Sequence, residues 1–184
     1  MGRHFAKIAF TPAVQAEQKQ LGSHLHYAGV AERGPDDSAL TAREAGFIQA
    51  RDSVYLATVS ETGWPYMQHR GGPPGFMRVL DARTIGFADL TGNRQHISLG
   101  NLASNDRVSL FFMDYANRRR LKLLGHARVV RDDPALLARL TSPGAERQAE
   151  SAVLIEVAGY DWNCPQHITP RLTMQEWQAI AASA

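Results

Sequence analysis

Short segments of strand-forming residues, separated by tight turns, dominate the middle of this sequence. Each segment is rich in Val, Ile, Tyr, Phe or Leu, and turn sequences such as Glu-Thr-Gly, Gly-Gly-Pro-Pro-Gly and Asp-Ala-Arg separate neighbours. Strands joined by such short turns pair in antiparallel fashion, and closing them into a barrel protects their edges. We therefore predict a mainly β (α+β) fold, a six- to seven-stranded antiparallel barrel with flanking helices, built on segments 53–60, 64–70, 76–80, 84–89, 107–114, 118–131 and 151–158.

Helix signals flank these strands. A helix is predicted over Thr11–Leu21, with a proline in its first turn and a glycine after its end, followed by a loop over residues 22–38. Capping boxes that begin at Thr41 and Thr173 predict two more helices, and Asp133 followed by proline predicts another.

We expect residues 1–184 to form a single domain. It would consist of an N-terminal helix and loop (1–40), a barrel core (41–158) and a C-terminal turn and helix (159–184). The hydrophobic and charged contents, 44% and 21%, are those of an ordinary globular protein.

Composition also narrows the partners and the compartment. The net charge of +2 does not demand a nucleic acid, and the single Cys164 excludes an intramolecular disulfide framework. No apolar run approaches the ~20 residues of a membrane span, and the N-terminus lacks the apolar core of a signal peptide. We expect a cytoplasmic protein with neither a membrane nor a nucleic acid as partner.

The familiar catalytic and metal-binding motifs are absent from the sequence. It has no G-x-S-x-G, H-E-x-x-H, Walker loop or C-x-x-C, so no catalytic residue is nominated. His24 and His26 lie two residues apart, but no third ligand is evident nearby, and we predict no metal site.

A loop at residues 92–95, Gly-Asn-Arg-Gln, comes where a helix should begin. Asn93 is a good N-cap, Arg94 suits a phosphate, and the free N–H groups of a helix N-terminus attract anions. The alternative is an ordinary strand-to-helix turn whose arginine lies in solvent. The residues alone leave both open.

The strand predicted over 118–131 begins with a cluster of cations. Alternation places Arg118, Arg120 and Lys122 on one face, which suggests an anionic neighbour or, equally, a charged and solvated edge strand. A nucleic-acid surface is disfavoured because aromatic residues are not interleaved with these cations.

Several segments together carry a resemblance to a known family. They are FADLTGNRQ at 87–95, NDRVSLFF at 105–112, and the strands ATVSETGWPYMQHR, GFMRVLD and LKLLGHARVV. This order and spacing, over residues 41–131 and the strand at 151–158, resembles the FMN-binding split-barrel family of pyridoxamine 5′-phosphate oxidase. The resemblance implies a split barrel and a homodimer that binds FMN at its subunit interface.

The resemblance also implies which residues bind the cofactor. Asn93, Arg94 and Gln95 match the loop that holds the phosphate. Gln68, His69 and Arg70 match the strand that lies along the flavin, and Phe87 and Ala88 match the backbone beside its ring. Arg120 matches a position from which the partner subunit contacts the isoalloxazine edge, with Arg118 and Arg119 as alternatives.

Two segments depart from the oxidase pattern. The R-P-R-x-S-type segment that holds the pyridoxal substrate is replaced at residues 142–151, where Arg147 is the one counterpart. After the last strand, Trp162, Asn163 and Gln166 either approach the flavin or form a structural turn around the neighbouring prolines.

The resulting expectation is an FMN-dependent oxidoreductase other than pyridoxamine phosphate oxidase. It would pass hydride or electrons between a small-molecule substrate, or reduced nicotinamide, and an acceptor. The alternative is a non-catalytic carrier or sensor that holds flavin or haem, and a deazaflavin in place of FMN is also open.

Overall fold

The computed structural model describes residues 1–144, 148–162 and 164–183. In these residues one antiparallel sheet contains seven strands: β1 Ser53–Val59, β2 Pro65–Gly71, β3 Arg78–Val79, β4 Thr84–Leu90, β5 Arg107–Asp114, β6 Arg119–Val130 and β7 Ala149–Trp162. Eight helices surround it within the same ranges: α1 Arg3–Ala9, α2 Pro12–Gln20, α3 His24–Tyr27, α4 Val30–Arg33, α5 Ala42–Gln49, α6 Ile97–Ser104, α7 Pro134–Leu140 and α8 Met174–Ser183. None of the described helices is long and apolar enough to cross a membrane.

The strand order is β2-β1-β5-β6-β7-β4-β3, which confirms the predicted antiparallel fold of split-barrel type. Among the described residues no ladder joins β2 to β3, so the hydrogen bonding does not close the sheet into a continuous barrel. β7 forms long ladders with both β6 and β4 and therefore lies inside the sheet.

Alternation along the strands separates a core face from an outer face. In β1 and β5 every second side chain is buried, and these side chains meet those of β6 and β7 in one apolar core that includes Leu56, Leu110, Phe112, Leu121 and Ile155. The opposite side, here called the outer face, carries partly exposed side chains of β1, β2, β5 and β6: Tyr55, Met67, His69, Phe111, Met113 and Arg120.

A register shift between Leu124 and Gly125 interrupts the β6–β7 ladder. A Cβ at Gly125 would lie 2.5 Å from the carbonyl oxygen of Glu156, so the backbones approach there more closely than any side chain allows.

Replacing Gly125 with alanine should therefore lower the free energy of unfolding by about 1–3 kcal/mol through overpacking. Gly46 is the matched control, because nothing lies within 4 Å of a Cβ added there, inside α5. Gly46→Ala should raise stability by about 0.5–1 kcal/mol in the same urea titration. Equal effects of the two changes would contradict the close approach at Gly125.

Most predicted elements are confirmed, among them α2, α5, α7 and α8, and the capping boxes at Thr41 and Thr173. The loop expected over 22–38 is wrong in part, because the short helices α3 and α4 form there, and α1 was not predicted. β3 is only two residues long, and β7 runs from 149 to 162 rather than from 151 to 158.

The N-terminal segment is fastened to β7 by one buried carboxylate. Asp37, 2% exposed, accepts hydrogen bonds from the backbone N–H groups of His4 at 2.7 Å, Phe5 at 2.9 Å and Tyr160 at 3.3 Å. Phe5 and Ala6 of α1 are buried in this segment.

Candidate functional site

A hollow of about 320 Å³ opens between β2, β4 and the start of α6, and is here called the polar pocket. It contains cationic, anionic and amide side chains together. Its lining residues are Tyr66, Gln68, Arg70, Asp89, Leu90, Gly92, Asn93, Arg94, Gln95, His96, Ile97, Ser98, Leu99 and Glu150.

The loop before α6 bends through two non-glycine residues in the left-handed region, Arg94 (φ 59°) and His96 (φ 50°). This conformation costs a non-glycine residue of the order of 1 kcal/mol and concentrates at functional sites. The Asn93 side chain accepts a hydrogen bond from the backbone N–H of Gln95 at 3.1 Å, which stabilises the bend.

The predicted helix start at Asn93 is wrong. The left-handed turn delays α6 to Ile97, and His96 is its N-cap. The side chains of Asn93, Arg94 and Gln95 are all exposed, and Arg94 has no ion-pair partner within the described ranges.

One face of β2 forms a wall of the polar pocket. Tyr66, Gln68 and Arg70 alternate on this face, whereas His69 lies on the outer face, where its ring packs edge-to-face on Tyr55 with centroids 5.7 Å apart. The structure thus brings Gln68 and Arg70 to the loop at 93–95 but turns the side chain of His69 to the other side of the strand.

Arg70 is fixed by two contacts with β4. Its Nη1 donates to Asp89 Oδ1 at 2.6 Å, and its guanidinium lies 5.5 Å from the centroid of the Phe87 ring. The Arg70 Nε is buried without a hydrogen-bond partner among the described residues.

A second hollow of about 580 Å³, here called the apolar cleft, adjoins the polar pocket and shares Arg70, Leu90 and Gly92 with it. Most of its other lining is apolar or backbone: Gly71, Gly72, Pro73, Phe76, Phe87, Ala88, Leu140, Pro143 and Gly144, with His69, Thr91 and Ser142 as the remaining residues. Together the two hollows suit a ligand with an anionic end and an apolar body.

Neither hollow is lined by Arg120 or Gln166, which were also predicted as site residues. Arg120 lies on the outer face opposite Met113 of β5, half-buried, and its Nε is buried without a partner in the part of the chain described. Gln166 is exposed in the turn after β7. Asn163 and Arg147 lie outside the described residues.

Trp162 ends β7 and is held at α5. Its Nε1 donates to Glu44 Oε1 at 2.7 Å, and its ring packs edge-to-face on Phe47 with centroids 4.7 Å apart. Burial alone would raise the pKa of Glu44, but hydrogen bonds from Thr41 and Trp162 outweigh it and hold that pKa below its ordinary value. The contact therefore stabilises the fold at neutral pH and is lost in acid, as the pH falls through the lowered pKa.

Sequence reasoning missed several residues of the polar pocket. Tyr66 could have been predicted, because the period-two alternation of β2 places it on the same face as Gln68 and Arg70. Asp89 and Ser98 gave no local signal, since their partners Arg70 and Gln68 lie 19 and 30 residues away.

The fold is thus an antiparallel split barrel, with a pocket suited to an anion beside an apolar cleft. The family model described as pyridoxamine 5′-phosphate oxidase matches residues 40–179, well over half of the chain. The chain belongs to this family, which confirms the resemblance found in the sequence. A search of curated proteins finds no match.

Solved structures share the fold at low sequence identity. HupZ of Group A Streptococcus matches with a TM-score of 0.55 and 17% identity, over 72% of this chain and 100% of that one. A Lactobacillus delbrueckii protein assigned as a pyridoxamine 5′-phosphate oxidase matches with a TM-score of 0.54 and 21% identity, over 68% of this chain and 96% of that one. An FMN-binding protein from Syntrophomonas wolfei matches with a TM-score of 0.50 and 8% identity, over 65% of this chain and 86% of that one. At these identities the likeness is one of fold alone.

Proposed function

We propose that this chain binds FMN and serves as an oxidoreductase acting on a small molecule or reduced nicotinamide. The observation that carries the proposal is Arg94, an exposed guanidinium without an ion-pair partner among the described residues, at a pocket continuous with an apolar cleft. A phosphate at one end of the ligand and a planar ring at the other would use both features. The membership of the chain in the pyridoxamine 5′-phosphate oxidase family and its structural likeness to an FMN-binding protein support it.

The residues present fit this cofactor. Arg94, Asn93, Gln95 and Gln68 would hold the phosphate, aided by the free N–H groups in the first turn of α6, which also lines the polar pocket. Phe87 and Ala88 would lie beside the ring, in the apolar cleft. Bound flavin would supply the capacity to accept and pass on hydride or electrons, so the chain need only bind, orient and tune it.

We further propose a homodimer with the cofactor at the subunit interface. The outer face supports this, since Met67 is 65% exposed there and Tyr55, Phe111 and Met113 are only partly covered. Arg120 on the same face would meet the flavin of the other subunit. The contacts of Trp162, Asn163 and Gln166 with the flavin stay predictions. The single-domain organisation and cytoplasmic location remain proposals as well.

A haem-binding carrier or sensor is the second candidate. His69 is among the residues that line the apolar cleft, and its ring would have to leave Tyr55 on the outer face to serve as an axial haem ligand. A non-catalytic flavin carrier would use the same hollows as the enzyme.

The visible spectrum of the purified protein, with mass analysis of whatever heat releases, tests these proposals. We expect a flavin spectrum and released FMN at about one per chain. Reduction by NADH or NADPH followed by reoxidation with an added acceptor would support the enzyme over the carrier. A haem spectrum would favour the second candidate, and a colourless protein that fails to bind added FMN would contradict the first.

A further inference from the structure

Two side-chain hydrogen bonds join α6 to the sheet, nearly one helical turn apart. The Ser98 Oγ donates to Gln68 Oε1 at 2.9 Å, and the Asn101 Nδ2 donates to Thr58 Oγ1 at 2.9 Å. Ser98, Asn101 and Thr58 are 2%, 8% and 1% exposed. Both bonds therefore hold the same helix from its buried side.

The two bonds differ in what lies beside them. Ser98 and Gln68 line the polar pocket, whereas Asn101 and Thr58 line neither hollow. The second pair thus performs the structural task of the first, without access to a ligand.

In the structure the Gln68 amide turns its oxygen, Oε1, towards the Ser98 hydroxyl. Because Oε1 accepts from Ser98, the Nε2 group, which carries two N–H donors, is the end left without a hydrogen bond among the described residues. It belongs to a pocket that also contains the guanidinium of Arg94. A donor in this place suits an anionic oxygen, whereas an amide oxygen would repel one.

We propose that Ser98 is a positioning residue that holds the Gln68 amide so that its Nε2 donates to an oxygen of the ligand's phosphate. This inference rests on the proposed function, because it assigns the phosphate to the polar pocket. Ser98 itself need not touch the ligand. The pair would favour FMN over riboflavin, which has no phosphate.

A double-mutant cycle with a matched control tests the proposal. Ser98→Ala and Gln68→Ala should each raise the Kd for FMN about tenfold, and the double variant should bind no more weakly than Gln68→Ala. None of the three should change riboflavin affinity appreciably. Thr58→Val, which breaks the other bond, should lower the melting temperature and leave the Kd for FMN unchanged.

Gln68→Glu keeps the acceptor for Ser98 but presents a carboxylate oxygen to the phosphate. It should therefore weaken FMN binding more than Gln68→Ala does, again without an effect on riboflavin. Additive losses in the cycle, equal losses for riboflavin, or a loss in Thr58→Val as large as that in Ser98→Ala would overturn the proposal.

An NMR measurement keeps this test separate from the proposed function. Titration with inorganic phosphate should shift the side-chain N–H signals of Gln68 in the wild-type protein, and the shift should shrink in Ser98→Ala. If FMN fails to bind the wild-type protein, the proposed function fails, but these shifts would still support the role of Ser98. Unchanged Gln68 signals would overturn that role.

Discussion

Arg94→Ala should raise the Kd for FMN about 10- to 100-fold, since charge-assisted hydrogen bonds to a phosphate contribute roughly 1.5–3 kcal/mol. Fold stability should hardly change, because Arg94 is exposed and has no ion-pair partner among the described residues. The strain of the left-handed backbone at residue 94 should also stay the same, because alanine has a Cβ just as arginine does. The measurement is quenching of flavin fluorescence on titration with protein.

Arg131→Ala is the matched control for charge. Arg131 is also exposed, follows the end of β6 and lines neither hollow. It should leave FMN affinity within about twofold, because exposed charges away from the ligand are screened by salt. Equal retention of FMN by the two variants would contradict the placement of the phosphate at Arg94.

Asp37→Ala should lower the free energy of unfolding by about 3–5 kcal/mol. The change removes the acceptor of three backbone N–H groups, two of them in buried surroundings, and an unsatisfied buried donor costs roughly 1–3 kcal/mol. The N-terminal segment should then detach from β7. Urea unfolding followed by tryptophan fluorescence measures the loss.

Asp36→Ala is the control. Asp36 is next to Asp37 in the chain, but its carboxylate is 55% exposed and pairs with Arg3 at the surface. A surface ion pair of this kind contributes little, so this variant should unfold close to the wild type. A similar loss in both variants would show that Asp37 does not fasten the N-terminal segment through its buried bonds.

Much of the sheet was predictable because its signals are local. The strand β5 and the helices at Thr41 and Thr173 follow from alternation and capping, which need only neighbouring residues. The extra length of β7 did not show in the sequence, because its first residues pair with distant β4 and its last residues pair with distant β6.

The candidate site was predictable only where one strand or one loop carries it. Gln68 and Arg70 follow from β2, but nothing local says that Arg70 pairs with Asp89 or that Ser98 donates to Gln68. The start of α6 was misplaced because the left-handed conformation at Arg94 and His96 has no residue signature such as glycine.

The strand order has a consequence for synthesis of the chain. β7 is the last strand of the described residues to leave the ribosome, yet β4 and β6 both pair with it. Until residue 149 and those after it have emerged, β3 and β4 have no sheet to join, and one edge of β6 stays unpaired. Each nascent chain therefore exposes open strand edges, which favour association with other chains, until β7 has joined the sheet.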